Sequence, residues 1–191
     1  MKKALLLLLI FPFIQVACEK SDFDCERSVF RHFDITGLEF TPSIVDGNVP
    51  LREGDSVRFE NFYFKGYLQA NYYSSESGSG FSLLQQAYAT APCPVNGWNG
   101  SEEKLAGIYL ISLGHYNATI QPGDTLKDGY RINNELPSEY ISTNSQNIRW
   151  QQLTIKLTEK PAPEEYQSFK LIYQLTNGER YEATTPRFKL Y

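Results

Sequence analysis

Apolar side chains recur at every second position through much of this chain, the pattern of a strand that buries one face. The alternation is clearest near the C-terminal end. Phe169, Leu171, Tyr173 and Leu175 alternate up to Asn177-Gly178, and Tyr181 and Ala183 resume beyond it. Asn-Gly between two such runs marks a hairpin. A two-residue turn sets Leu175 against Arg180 and Tyr173 against Glu182. A three-residue loop, Thr176-Asn177-Gly178 with Gly178 left-handed, sets Tyr173 against Tyr181 and Leu171 against Ala183. Facing side chains share one side of a sheet, so the second register buries apolar against apolar and is the one expected. Pro186 suits a strand edge, with Phe188 and Leu190 as a final pair.

The same pattern runs back through the chain. Phe33, Ile35 and Phe40 mark a first strand, and Pro42, Gly47-Asn48 and Pro50 a loop. Val57 and Phe59 then share one face of a long run to Tyr73, whereas Phe62, Phe64, Leu68 and Ala70 lie one step out of phase, which predicts a bulge or bend near Glu60-Asn61. Leu105–Leu113 is apolar enough for a central strand. Ile148, Trp150, Leu153, Ile155 and Leu157 form a candidate buried set, with one slip. Phe81–Ala89 fits a strand or a turn or two of helix. Two helical segments are expected, Gln85–Ala91 and a turn at Pro137–Ser142. About seven strands with regular turn signals predict an all-β fold, an antiparallel β-sandwich of immunoglobulin-like architecture, with an up-and-down β-barrel as the alternative.

The front of the chain has a different composition. Lys2 and Lys3 precede an apolar run, Ala4–Ile14, interrupted by Pro12 and followed by Gln15-Val16-Ala17-Cys18. A basic start, a short apolar stretch and a small residue before a cut describe a secretory signal peptide, too short to span ~30 Å of hydrocarbon. Val16-Ala17-Cys18 resembles a bacterial lipobox, although Gln15 stands where Leu is commonest. The resemblance implies cleavage before Cys18 and lipid on its sulfur; the alternative is an ordinary signal peptide cut near Ala17. The acidic stretch Glu19–Glu26 resembles the export signal that follows the lipid cysteine in surface lipoproteins of Bacteroidetes-type bacteria. The expected organisation is therefore a signal peptide (1–17), a lipid-anchored tether (18–28) and one β-domain (29–191). Ser74–Gly80 is short enough to be a loop rather than a linker. With Cys18 lipidated, Cys25 and Cys93 remain, and an oxidising envelope favours a disulfide between them; two unpaired buried thiols are the alternative.

Loss of residues 1–17 removes two lysines and no acid, so the net charge of −4 becomes −6. No basic stripe remains, and nucleic-acid binding is not expected. His32 and His115 lack neighbours at metal-ligand spacing, and no nucleophile elbow, phosphate loop or dinucleotide fingerprint occurs. No cofactor, metal or catalytic residue is assigned. Glu102-Glu103 and Glu164-Glu165 offer adjacent acids, the raw material of glycoside cleavage but more often solvated loops. Asp46-Gly47-Asn48 and Asp124 with Asp128 fall short of a full calcium pattern. Tyr63, Tyr67 and Tyr73 fall on the strand face opposite Phe62, Phe64 and Leu68, interleaved with Lys65, Gln69 and Asn71. Tyrosines beside amides stack on sugar rings and hydrogen-bond their hydroxyls, which makes these three the candidate glycan contacts. Asp55-Ser56-Val57 and Asp124-Thr125-Leu126 resemble acceptor sites for O-linked glycans in Bacteroidetes-type envelopes, at Ser56 and Thr125.

Ala17-Cys18 with its acidic follower, Phe33–Leu38, the Ala87-Tyr88-Ala89…Cys93-Pro94 segment and the closing Asn177-Gly178 hairpin together resemble the single-domain, all-β lipoprotein families of Bacteroidetes. Those families have no assigned reaction, so the resemblance implies location and architecture only. It implies an outer-membrane protein held by its lipid and facing the cell surface, or alternatively the periplasm. The expected role is non-enzymatic binding or assembly at the envelope, with a glycan or an envelope protein as partner. Carbohydrate capture through the tyrosine face is the alternative, and a glycoside hydrolase-like enzyme the remote one.

Overall fold

In the computed structural model, which describes residues 30–74, 95–162 and 165–191, the alternating runs become eleven strands and one short helix. In chain order the strands are β1 (His32–Ile44), β2 (Val49–Pro50), β3 (Ser56–Val57), β4 (Phe62–Tyr73), β5 (Leu105–Ser112), β6 (Tyr130–Ile132), β7 (Gln152–Leu157), β8 (Tyr166–Gln167), β9 (Phe169–Leu175), β10 (Arg180–Thr184) and β11 (Phe188–Leu190). Helix α1 spans Pro137–Thr143. The described residues, Val95 excepted, fall in one unit of the chain; the other comprises Met1–Val29 and Glu76–Val95.

Three open sheets result, in the orders β2-β1-β4-β7-β6, β10-β9-β5 and β3-β11-β8. All pairs are antiparallel except β3 with β11. The fold is thus mostly antiparallel β with little helix, as expected, and none of the sheets closes into a barrel. The strand count is corrected from about seven to eleven among the described residues, because short pairs such as Val49–Pro50 and Ser56–Val57 carry too few residues to show a period.

The hairpin takes the expected register. Tyr173 pairs with Tyr181 and Leu171 with Ala183. The Leu175 N–H bonds the Glu179 carbonyl at 2.9 Å around Thr176-Asn177-Gly178, and Gly178 carries φ +94°. The bend near Glu60-Asn61 is also present, as a 3-10 turn at Phe59–Asn61. Beyond it Phe62, Phe64 and Leu68 point inward and Tyr63, Lys65 and Tyr67 outward.

One aromatic cluster joins the three sheets. The Phe64 ring, fully buried, lies 4.7 Å from those of Phe40 and Phe62, 5.1 Å from Phe169 on β9 and 6.2 Å from Phe188 on β11. Edge-to-face and offset pairs at such distances suit the aromatic quadrupole and add to the area they bury.

Two strand readings are corrected. Leu105–Leu113 is not central: β5 ends its sheet, and its free side is covered by the following loop, through bonds from Ser112 N–H to the Asp124 carbonyl (3.0 Å) and from Leu126 N–H to the Leu110 carbonyl (2.8 Å). That cover explains how an end strand can be so apolar. Trp150 is not in the core but 71% exposed, because β7 starts only at Gln152 and the residues before it leave the sheet. The expected turn at Pro137–Ser142 is α1, with Pro137 in its first turn and the Glu139 carboxylate accepting the Leu136 N–H at 2.9 Å. Phe81–Ala89 and Gln85–Ala91 lie outside the described residues, as does nearly all of Ser74–Gly80.

The expected Cys25–Cys93 bridge is also corrected: no two of the three cysteines stand at or near disulfide distance. A bridge needs Cα atoms within about 7 Å, a geometric demand that compartment and an even count of thiols say nothing about. Cys18, Cys25 and Cys93 themselves lie outside the described residues.

Candidate functional site

The outward face of the β1–β4–β7 ladder is built by simple alternation. With Phe62, Phe64 and Leu68 drawn into the core, Tyr63, Lys65, Tyr67, Gln69 and Asn71 must face out. Pairing then sets Ser43 beside Tyr63, Thr41 beside Lys65 and Glu39 beside Tyr67, with Thr154 and Gln152 on the other side of Lys65 and Tyr67. Glu39, Thr41, Ser43, Asn48, Lys65 and Tyr67 enclose much of a shallow depression of about 210 Å³.

Tyr63, Tyr67 and Tyr73 are all half-buried on this strand, but they do not converge. At about 3.3 Å per residue they stand ~13 and ~20 Å apart. Each also has a neighbour of its own. The Tyr63 hydroxyl donates to Asn48 Oδ1. Tyr73 stacks on His32 with centroids 5.6 Å apart. Burial, the neighbouring Tyr72 hydroxyl and the Glu39 carboxylate push the Tyr67 phenol up. The Glu39 carboxylate accepts a bond from Gln69 Nε2 at 2.8 Å. Such a row suits an extended chain lying along β4 better than a single ring.

The adjacent acids divide. Glu103 closes a defect in β1. There Ile35 pairs with Ala70 and Gly37 with Gln69, so Thr36 is an extra residue. The bulge frees the Ile35 backbone, and two side chains satisfy it: Glu103 Oε2 accepts the Ile35 N–H at 2.8 Å, and the Tyr181 hydroxyl donates to the Ile35 carbonyl at 2.6 Å. Ser101 Oγ donates to the same Glu103 oxygen at 3.0 Å. Desolvation raises the Glu103 pKa, with Glu179 and Asp34 adding to it, although its two hydrogen bonds pull the other way. Tyr181 is pushed up to about 12 by burial and by Glu179. Glu102 is exposed, and of the other pair only Glu165 falls within the described residues.

The remaining candidates are scattered. Asp124 accepts the Gln121 N–H at 2.8 Å and so shapes its own turn. Asp46-Gly47-Asn48 is a 3-10 turn. His32 and His115 are half-buried, on β1 and in the loop after β5. Among the described residues, no three His, Cys, Asp or Glu side chains stand together as a metal set. Ser56 is exposed on β3, and Thr125 is half-buried beside β5. Among the described residues, no helix is long and apolar enough to cross a membrane.

One site was not read from the sequence. Between α1 and the segment that enters β7 lies a polar cleft of about 460 Å³, with Trp150 and Arg149 among its lining residues. A signal was present: Trp150 is out of phase with Leu153, Ile155 and Leu157, so in an unbroken strand it faces away from them. Comparison with protein-family models, with curated proteins and with solved structures finds no match to the chain.

Proposed function

We propose that the chain is a non-enzymatic, lipid-anchored protein of the cell envelope whose β-unit binds a partner. Residues 1–17 are removed as a signal peptide, Cys18 carries the lipid, 18–28 form the tether and 29–191 the binding domain. The anchor is supported by Lys2-Lys3, the apolar run and Ala17-Cys18. Two or three acyl chains, each methylene contributing ~0.8 kcal/mol, hold a protein at a bilayer far better than one. Outer-membrane attachment with the domain at the cell surface follows from the acidic stretch after Cys18; the periplasmic face is the alternative.

The observation that carries the binding role is the long β1–β4–β7 face, which presents tyrosine, amide and charged side chains outward while its reverse side fills the core. The packing of Phe64 against Phe169 and Phe188 supports a sandwich-like architecture, immunoglobulin-like in kind. A second reading, carbohydrate capture by Tyr63, Tyr67 and Tyr73, is favoured by their interleaving with Lys65, Gln69 and Asn71 along one strand. The remote hydrolase reading loses support from Glu103, whose carboxylate is occupied by Ile35 and Ser101.

Intact mass and peptide mass spectrometry of the native protein test the anchor. The expected N-terminal peptide begins at Cys18 and carries diacylglycerol and acyl mass; a bare Cys18, or one still joined to residues 1–17, overturns it. Affinity capture from envelope extracts, compared between wild type and Tyr67→Ala, tests the face.

A further inference from the structure

We propose that the cleft beside α1 is a binding site for a neutral saccharide, with Trp150 as its stacking platform. The proposal rests on the binding role above but not on the lipid anchor, and it concerns a site separate from the β4 tyrosines.

The cleft is held by rigid local structure. Ile132 and Glu135 exchange backbone bonds of 2.9 Å across Asn133-Asn134, which carry φ of +50° and +72°. Both central residues are thus left-handed, the requirement of a tight type I′ hairpin turn, and asparagine tolerates it well. Asn133 is fixed further: Oδ1 accepts the Thr154 N–H and its own N–H reaches the Thr154 carbonyl, both at 2.8 Å. On the opposite wall the buried Asn144 donates through Nδ2 to the Tyr140 carbonyl at 2.9 Å. The free ends of these amides, Nδ2 of Asn133 and Oδ1 of Asn144, make no hydrogen bond among the described residues. One is a donor and the other an acceptor, and both are preset.

Two further features point to a ligand. Glu135 Oε2 is buried and has no partner among the described residues. Native proteins seldom leave such an atom unmade, and Glu135 lines the cleft, so a small turn of its half-buried side chain would offer that oxygen to a donor there. Trp150 is 71% exposed although Ile148 and Leu153 on either side of it are buried. Its large apolar face therefore borders the cleft instead of filling the core.

The chemistry of this set selects the ligand class. One carboxylate and one guanidinium, Glu135 and Arg149, cancel in charge. A strong anion meets Glu135 and a strong cation meets Arg149, so a neutral ligand is favoured. That ligand must offer hydroxyls able both to donate and to accept, together with an apolar face for the indole. A pyranose ring has both, with hydroxyls around its rim and C–H groups on its face. About 460 Å³ lies within the ~300–1,000 Å³ of small-molecule sites.

The test uses tryptophan fluorescence and calorimetry on the full protein. The probes are glucose, galactose, mannose, N-acetylglucosamine and their β-linked dimers, taken into the millimolar range. At least one sugar is expected to bind saturably. Trp150→Ala should weaken it about tenfold or more, and Glu135→Gln should weaken it by a smaller factor. Lys160→Ala, exposed and outside both the cleft and the β4 face, should bind as wild type does. Trp150 is exposed, so its variant keeps the wild-type circular dichroism and melting temperature. No saturable binding by any probe overturns the proposal. Sugar binding that survives Trp150→Ala but is lost in Tyr67→Ala also overturns it and moves the site to the β4 face. A bare Cys18 leaves this site standing, and absence of sugar binding leaves the anchor standing.

Discussion

Replacing Glu103 by alanine removes the only side-chain partner of the Ile35 N–H in the β1 bulge among the described residues. Two donors lose their acceptor, that N–H at 2.8 Å and the Ser101 hydroxyl at 3.0 Å. Ile35 and Ser101 are both buried, and a buried donor left unmade costs ~1–3 kcal/mol, so Glu103→Ala should lose ~2–6 kcal/mol. Glu103→Gln keeps an acceptor oxygen at the same place and discards the charge. It should stay within ~1 kcal/mol of wild type at neutral pH. Burial raises the Glu103 pKa above its unfolded value. The folded protein therefore binds the proton more tightly, and stability falls as pH rises through the window between the two values. Above the raised pKa the penalty is complete; below the unfolded pKa it vanishes. Urea unfolding of the three proteins across that window should show wild type gaining on Glu103→Gln as pH falls, while Glu103→Ala stays below both. Equal midpoints for Glu103→Ala and Glu103→Gln would falsify the assignment of Glu103 as the seal of the bulge.

Two other perturbations read the fold directly. Phe64→Ala empties the centre of the ring cluster formed with Phe40, Phe62, Phe169 and Phe188, and should cost ~3–5 kcal/mol with an unchanged denaturant slope; a loss under ~1.5 kcal/mol would mean that the sheets do not meet there. Gly100→Ala adds a Cβ 2.6 Å from the Ile148 carbonyl at a residue with φ +83°, so it should cost ~1–3 kcal/mol. Hydrogen exchange should quicken at the Ser101 and Ile148 amides, which bridge at this point; unchanged protection there refutes the close approach.

How much of this was legible in the sequence varies with the length of each pattern. The Tyr173–Tyr181 register followed from facing side chains, because a one-residue error turns every side chain to the wrong side. The phase change at Glu60-Asn61 was legible for the same reason. A second phase change lies in β1: Phe33 and Ile35 are odd and Phe40 even, and the Thr36 bulge sits between them. Its seal, Glu103, lies 68 residues away, so no local pattern pointed to it. Hydrophobicity alone misplaces Trp150, which is exposed and out of phase with the buried Leu153, Ile155 and Leu157. The cleft beneath it joins Asn133, Asn144 and Trp150 from three segments, and only the tertiary structure brings them together.

Anchoring changes what affinity such a cleft needs. In the proposed arrangement the tether from Cys18 to Ser28 is eleven residues. Fully extended, it reaches at most ~36–40 Å from the lipid. A domain held that close to a bilayer meets neighbouring surface glycans at a high effective concentration, and several copies can engage one chain at once. Individually weak contacts, one tryptophan platform and a few preset amides, are then enough for capture. The requirement falls on geometry: the cleft and the β4 face must both be reachable while the lipid is in the membrane. Lengthening the tether with Gly-Ser residues should therefore alter retention on glycan-bearing vesicles while leaving the affinity for a soluble disaccharide unchanged. If both change together, the tether acts on the fold of the site and not on its reach.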